Sequence, residues 1–336
     1  MLYPATQIFP PTTPRINAST MNDLWPMIAS VLGVFLMMGL GAACRRSGWL
    51  TPEADRSLAN LTKNLLLPAY LFSKMLGGDS IGSIGQTWAP PLFGFVATAV
   101  GFGLAFGLAR TIGPRLGLDT DGKQRAFGLC AGIANYGYIP LPLAERLYPE
   151  ALVELILHNV GVELALWSIG FAIVSGKGFG WKSAITSPPL LAVIAGISLR
   201  QLGDESTLPG PLQTVVEGLG GCAIPIGLLL SGAIIVDFLR EAFRRREHRD
   251  RGWQVTLVAI LLRQGVLPLA MLTAASTLAL STDLRQVVGL QAAMPSAVFP
   301  IVLVRLYNRD INTALQVVLG TSIAGIVLVP FWLSWS

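Results

Sequence analysis

Amide, hydroxyl, proline and glycine residues gather in two apolar stretches far apart in the chain, LCAGIANYGYIPLPLAERLY (129–148) and LQAAMPSAVFPIVLVRLY (290–307). The first holds Asn135, Tyr136, Gly137, Pro140 and Pro142; the second holds Gln291, Pro295, Ser296 and Pro300. A proline removes a backbone donor and displaces the carbonyl one turn earlier, so a helix running through either stretch is expected to break. In hydrocarbon the freed groups need partners, which confines such breaks to a protein interior or a water-filled cavity. Where two broken helices cross, their half-helix N-termini offer unpaired N–H groups that favour an anion. Asn135 is the strongest single candidate, because an amide gives donors to a carboxylate and an acceptor to a second group without desolvating a charge. Satisfying the backbone at the break is its other reading, and for Ser296 that structural reading carries more weight.

Charged groups deep in apolar stretches are the second set. Glu163 and Arg263 each lie about halfway along an apolar run, where a charge is costly and marks function or a paired structural ion. Three roles stay open for them: a pair within the interior, a tie to a coupling ion, and a static salt bridge that fixes packing. His158 is expected to make an interhelical hydrogen bond, with Asn159 and Asn64 as further polar candidates. Lys63 and Lys74 are read as lying near the ends of one span, with their ammonium groups reaching the interface. Cys44, Cys130 and Cys222 sit in apolar runs without metal-ligand spacing and read as packing residues. No metal site is expected from two histidines, His158 and His248, without carboxylates at matching helical spacing.

The elements that must position these residues follow from composition. Hydrophobic residues make up 52% of the 336-residue chain and charged ones only 13%, with a mean hydropathy of +0.60. A soluble domain carries about 25% charged residues, so lipid must cover part of this surface. Spans of roughly 20 apolar residues can be placed at 24–43, 57–76, 88–109, 126–146, 151–174, 187–202, 211–236, 253–280, 286–305 and 311–333. Residues 1–23 form a polar tail, Pro- and Thr-rich in its first twenty positions, with Met21 as an alternative start. Lys and Arg concentrate in the loops after the odd-numbered spans, for example Arg45, Arg46, Arg115, Lys123, Lys177 and the run FLREAFRRREHRDR (238–251). That bias places both termini outside and the basic loops in the cytoplasm. The central basic run is an orientation signal rather than a nucleic-acid patch, so no nucleic-acid partner is expected.

The expected architecture is all-α and integral to the membrane: ten transmembrane helices as two inverted five-helix repeats. Spans 1–5 (24–174) form the first, a cytoplasmic linker (175–186) follows, and spans 6–10 (187–336) form the second. Broken, crossing helices four and nine occupy matched positions, since Pro140 and Pro300 align and the Arg-Leu-Tyr endings fall within one residue of the same offset. Spans two and seven match more loosely, around Pro68 and Pro225. Transporters built from inverted repeats place their substrate site where such discontinuous helices meet. A P-loop is not recognisable, and His158 has no motif of a nucleophile with its base, so an enzyme is not expected. The alternatives to a carrier are a ligand sensor or a passive channel on the same scaffold.

These motifs resemble the auxin efflux carrier family in its bacterial permease branch, related in fold to the bile-acid:sodium symporters. The resemblance runs over about residues 24–333. It rests on GLGAACRRSGWLTPEA, KNLLLPAYLF, GIANYGYIPLPLAERLYPEAL, AIPIGLLLSGAII, LLRQGVLPL and AAMPSAVFPIVLVRLY. It implies secondary-active transport of a small organic anion, a carboxylate or aromatic acid, by alternating access. A transport domain (spans 3–5 and 8–10) would move against a scaffold (spans 1, 2, 6 and 7) that also forms a homodimer. No cofactor is implied beyond a coupling proton or sodium ion. Asn135 occupies the family's crossover Asn. Phe299 stands where a further Asn commonly follows the Met-Pro-Ser run, so indole-acetate is not implied as the substrate. The short central loop fits a bacterial inner membrane, with a eukaryotic internal membrane as the alternative.

Overall fold

The computed structural model describes residues 21–77, 88–180, 182, 185–202, 208–244 and 252–335. Most of the expected N-terminal tail, part of the 175–186 linker and the end of the central basic run lie outside the described residues.

Helices cover every expected span. They are α1 (Met21–Arg46), α2 (Pro52–Leu61), α3 (Leu67–Gly77), α4 (Ala89–Thr111), α5 (Asp121–Gly132), α6 (Pro140–Leu147), α7 (Leu152–Ala165) and α8 (Phe171–Ser175) in the first half. The second half has α9 (Pro188–Leu202), α10 (Gly210–Arg244), α11 (Gly252–Leu261), α12 (Leu267–Thr277), α13 (Thr282–Ala293), α14 (Pro300–Leu306) and α15 (Ile311–Leu333). Six stretches among the described residues are long and apolar enough to cross a membrane: Trp25–Arg46, Ala89–Thr111, Pro149–Ser175, Gly210–Asp237, Gly252–Thr277 and Ile311–Leu333. The remaining expected spans depart from that standard for legible reasons. Two are interrupted (α5/α6 and α13/α14), α9 has only 15 residues, and α2–α3 carries Lys63 and Lys74.

Three helices contain a π turn: Thr62–Leu66 joins α2 to α3, Leu166–Gly170 joins α7 to α8, and Leu262–Val266 joins α11 to α12. The first and third precede Pro68 and Pro268. There the N–H of Leu67 reaches Thr62 O, and that of Leu267 reaches Leu262 O, each five residues back. Pro268 lacks the donor that would meet Gln264 O. That carbonyl instead accepts the Trp332 indole N–H at 2.8 Å, so the freed group is satisfied by a neighbouring helix.

Packing is closest within two bodies of helices, and one buried apolar core joins them, running from Met38 and Tyr70 to Leu155 and Leu290. α1 lies along α10, and α9 and α10 along α3; α4 lies along α5 and α7, and α15 along α11, α13 and α5. These contacts exchange under a shift of five spans: one with seven becomes six with two, and three with five becomes eight with ten. Glycines set the closest approaches, as membrane interfaces favour small residues. A Cβ at Gly232 would sit 1.8 Å from Met38 O, and one at Gly161 would sit 1.8 Å from Pro91 O.

The basic end is tied by arginines. Arg45, expected as a loop residue, is instead buried: it donates to Leu50 O at 2.7 Å and pairs with Asp55 and with Asp237 at 2.9 Å. Arg125 and Arg309 donate to the last carbonyls of α8, at Ile173, Val174 and Ser175. Hydrogen bonds from Arg125, ahead of those from Arg110, hold the Asp121 carboxyl below the usual carboxylate range. Of the cysteines, Cys130 packs in the core as expected, whereas Cys222 is exposed on α10, so it does not fill an interior gap.

Gly232→Val should lower stability by about 1–3 kcal/mol through overpacking against the α1 backbone. Gly33→Val, which meets nothing within 4 Å, should leave it nearly unchanged. Melting temperatures in detergent compare the two.

Candidate functional site

Both interrupted helices break where the sequence predicts. α5 ends at Gly132 and α6 begins at Pro140; α13 ends at Ala293 and α14 begins at Pro300. In each case the proline takes the first helical position, where its missing N–H costs nothing. The extended segments between the halves run against each other, with Ala134 opposite Ser296 in an antiparallel bridge. Asn135 N–H donates to Pro295 O at 2.7 Å, and Ala297 N–H donates to Ile133 O at 3.2 Å. Each break thus supplies the backbone partner the other needs.

Side chains complete the crossing. Asn159, from α7, donates its amide to Tyr136 O at 2.6 Å and accepts at Oδ1 from the Gln291 amide at 2.8 Å. Asn135 Oδ1 accepts from Gly137 N–H at 3.4 Å, while its Nδ2 makes no hydrogen bond among the described residues. Thr321 Oγ1 accepts from Ser296 N–H at 3.2 Å and donates to Val317 O. Buried polar atoms without a partner among the described residues remain around the crossing: Gln291 Oε1, Ser296 Oγ and both side-chain polar atoms of Gln264. Gln264 Nε2 and the Pro295 ring share the notch left by the absent side chain of Gly325. By contrast, a Cβ on Gly137 would meet nothing within 4 Å, so this glycine borders open space. Tyr138 lays its ring on Gly227 of α10, where a Cβ would come within 2.2 Å of it, joining the first break to the other body.

The two expected charges do not pair with each other. Glu163 Oε1 accepts from Ser187 Oγ at 2.6 Å and from the Trp167 indole N–H at 3.4 Å. Arg263 is buried, 3% exposed, in the π turn that packs against α5 and α15, and its Nε and Nη2 have no hydrogen-bond partner among the described residues. His158 makes no interhelical hydrogen bond among the described residues. Its ring is buried against Phe93, centroids 6.3 Å apart, because Gly94 draws α4 close to the α7 backbone there. Asn64 is exposed on α2–α3.

Lys63 departs most from expectation. The helix starts at Pro52 rather than at 57, which moves Lys63 to roughly 16 Å from the nearer end. Its ammonium lies 5.1 Å from the Trp167 ring centroid and 5.5 Å from that of Phe299. Sequence reasoning missed this cluster and the linking role of Asn159, since nothing in a linear pattern says which face of α2 meets the second break.

A cavity of about 730 Å³ lies between the end of α3, the α6–α7 junction and the start of α10. Lys74, Glu145, Glu150 and Glu217 line it, and Lys74 pairs with Glu145 at 2.7 Å across the two bodies. None of the crossover residues lines this cavity, so it is an approach between the bodies and not the crossing itself.

A family described as membrane transport protein matches the chain over residues 26–179 and again over 172–333. An uncharacterized transporter of Methanothermobacter thermautotrophicus is 27% identical over 308 residues, covering 90% of this chain and 96% of that protein. Protein ECM3 of Saccharomyces cerevisiae is 24% identical over 153 residues, 44% of this chain and 24% of that protein. The chain belongs to the membrane transport protein family, the auxin efflux carriers that its motifs resemble, and is an integral membrane transporter rather than an enzyme.

Asn159→Leu should cost about 2–4 kcal/mol, because it strands both Tyr136 O and the Gln291 amide in a buried site. A fall in the melting temperature in detergent, larger than for Asn64→Leu on the exposed face, is the expected reading.

Proposed function

We propose that this member of the auxin efflux carrier family carries a small organic anion, a carboxylate, by alternating access, binding it at the crossing of the fourth and ninth spans. The observation that supports the reading best is the set of uncommitted polar groups at the crossing. Asn135 Nδ2 and the Ser296 hydroxyl can donate to a carboxylate, and both belong to segments held in place by backbone hydrogen bonds, so an anion meets them preorganised; Gln291 Oε1 is left to accept from a second group. Tyr136, Gly137, Pro140, Pro295 and Pro300 shape the same place: the prolines break the helices and Gly137 leaves room.

The reading includes ten spans in two inverted halves, 24–174 and 187–336, joined by 175–186. In its favour are the contacts that exchange under a five-span shift and the two successive family matches. α1, α2–α3, α9 and α10 serve as the scaffold, which also supplies a homodimer contact. α4–α8 and α11–α15 form the moving body. The basic loops face the cytoplasm of a bacterial inner membrane, with both termini outside. Glu163 is the candidate for coupling to a proton or sodium ion, held by Ser187 and Trp167. Arg263 supplies a fixed positive charge beside the crossing.

Proteoliposomes with imposed pH or sodium gradients test the reading on labelled organic acids. Wild-type protein should give saturable uptake, and Asn135→Ala should reduce it on the order of 100-fold, the cost of a hydrogen bond to a charged group. Wild-type vesicles that take up none of the acids under any gradient would overturn the carrier reading. For the coupling role, Glu163→Gln should remove the dependence on the driving gradient; unchanged dependence would exclude Glu163.

A further inference from the structure

Lys63 is a cation in the π turn that joins α2 to α3, with no ion-pair partner among the described residues. Its neighbours are the faces of Trp167 and Phe299, whose rings meet edge to face with centroids 6.2 Å apart. Contact with the aromatic faces offsets only part of what the ammonium loses in leaving water. The ammonium therefore keeps capacity for an anion. Its position is fixed by the π turn Thr62–Leu66, which Pro68 imposes and which re-aims the helix face at that level. The rings come from the other body: Trp167 from the π turn between α7 and α8, and Phe299 from the residue that opens α14 after the second break. Phe299 also stands three residues from Ser296, so the cluster adjoins the crossing.

Resting on the carrier reading, we propose that Lys63 is the residue that recognises the substrate's carboxylate. The rings of Trp167 and Phe299 hold the substrate's apolar body, so the site selects a monocarboxylate over a dicarboxylate. The selectivity follows from what surrounds the ammonium. One cation serves one carboxylate. A second carboxylate on the same molecule would lie against the two rings or near Glu163, which accepts from the Trp167 indole N–H. An apolar tail loses nothing there and gains contact with both ring faces. Recognition also spans the two bodies, since Lys63 belongs to the α2–α3 helix and the rings to the other. An anion binding Lys63 draws the ammonium from the rings and loosens one contact between the bodies, which ties occupancy to their relative movement.

Equilibrium dialysis of the purified full chain with labelled benzoate, hexanoate and succinate tests this without requiring transport. Wild-type protein should bind both monocarboxylates more tightly than succinate. Lys63→Gln should weaken benzoate binding on the order of 10- to 100-fold, at an unchanged melting temperature, and Lys63→Arg should restore most of it. Benzoate binding unaffected by Lys63→Gln would overturn the assignment, as would tighter binding of succinate or no wild-type binding of either monocarboxylate. Succinate binding lost in Asn135→Ala but kept in Lys63→Gln would sink this inference and leave the carrier reading standing. Should Lys63→Gln fail to fold, Trp167→Leu reports on the same site: it should abolish the preference for benzoate over acetate, and a retained preference counts against the proposal.

Discussion

The backbone of two interrupted helices must find partners away from water, and the rest of the architecture follows from that constraint. A lone break in hydrocarbon would leave several N–H and C=O groups bare, each costing several kcal/mol. Two breaks placed against each other remove much of that cost, through Asn135 N–H to Pro295 O and Ala297 N–H to Ile133 O. The pairing forces α5 and α13 to end at the same depth. It also puts the segments around Asn135 and Ser296 side by side, although they are far apart in sequence. Asn159 and Thr321 then attach the crossing to α7 and α15, the helices that flank it.

Once the crossing is enclosed, its environment sets the chemistry. Amides and hydroxyls dominate it, with Arg263 buried beside it and Glu163 held by a serine and an indole. Neutral donors can hold an anion without the standing cost of a buried charge, and a low local dielectric strengthens each bond they make. The neighbouring helices meet this body across one buried apolar core, which includes Met38, Tyr70, Leu155 and Leu290, and through polar contacts such as Lys74 with Glu145. The Lys74–Glu145 pair is partly exposed, so solvent screening leaves it worth little in stability.

The local sequence also explains why the helices differ in outline. Pro68 and Pro268 produce π turns that leave their helices continuous, because only one donor is lost and the hydrogen bonding can shift by one residue. At 133–139 and 294–299, prolines open a new half-helix and glycine or serine residues precede them, so continuity is lost altogether. The same residue type therefore has two outcomes, decided by its neighbours.

Hydropathy and the spacing of prolines made the helical character, the approximate helix positions and both breaks legible before any coordinates. These are local properties: a run of apolar residues must be covered by lipid or protein, and a proline must break or bend what precedes it. The crossover residues Asn135, Gln291 and Ser296 were legible for the same reason, since each lies at a break. Tertiary structure alone decided which groups face one another. It placed Lys63 on Trp167 and Phe299, separated Glu163 from Arg263, buried Arg45 and made Asn159 the link between the two breaks. Such pairings depend on helix rotation and register, set by glycine approaches like Gly232 on Met38 and Gly161 on Pro91. Periodicity marks a glycine as small but does not name the backbone it will touch, because that depends on packing between segments far apart in the chain.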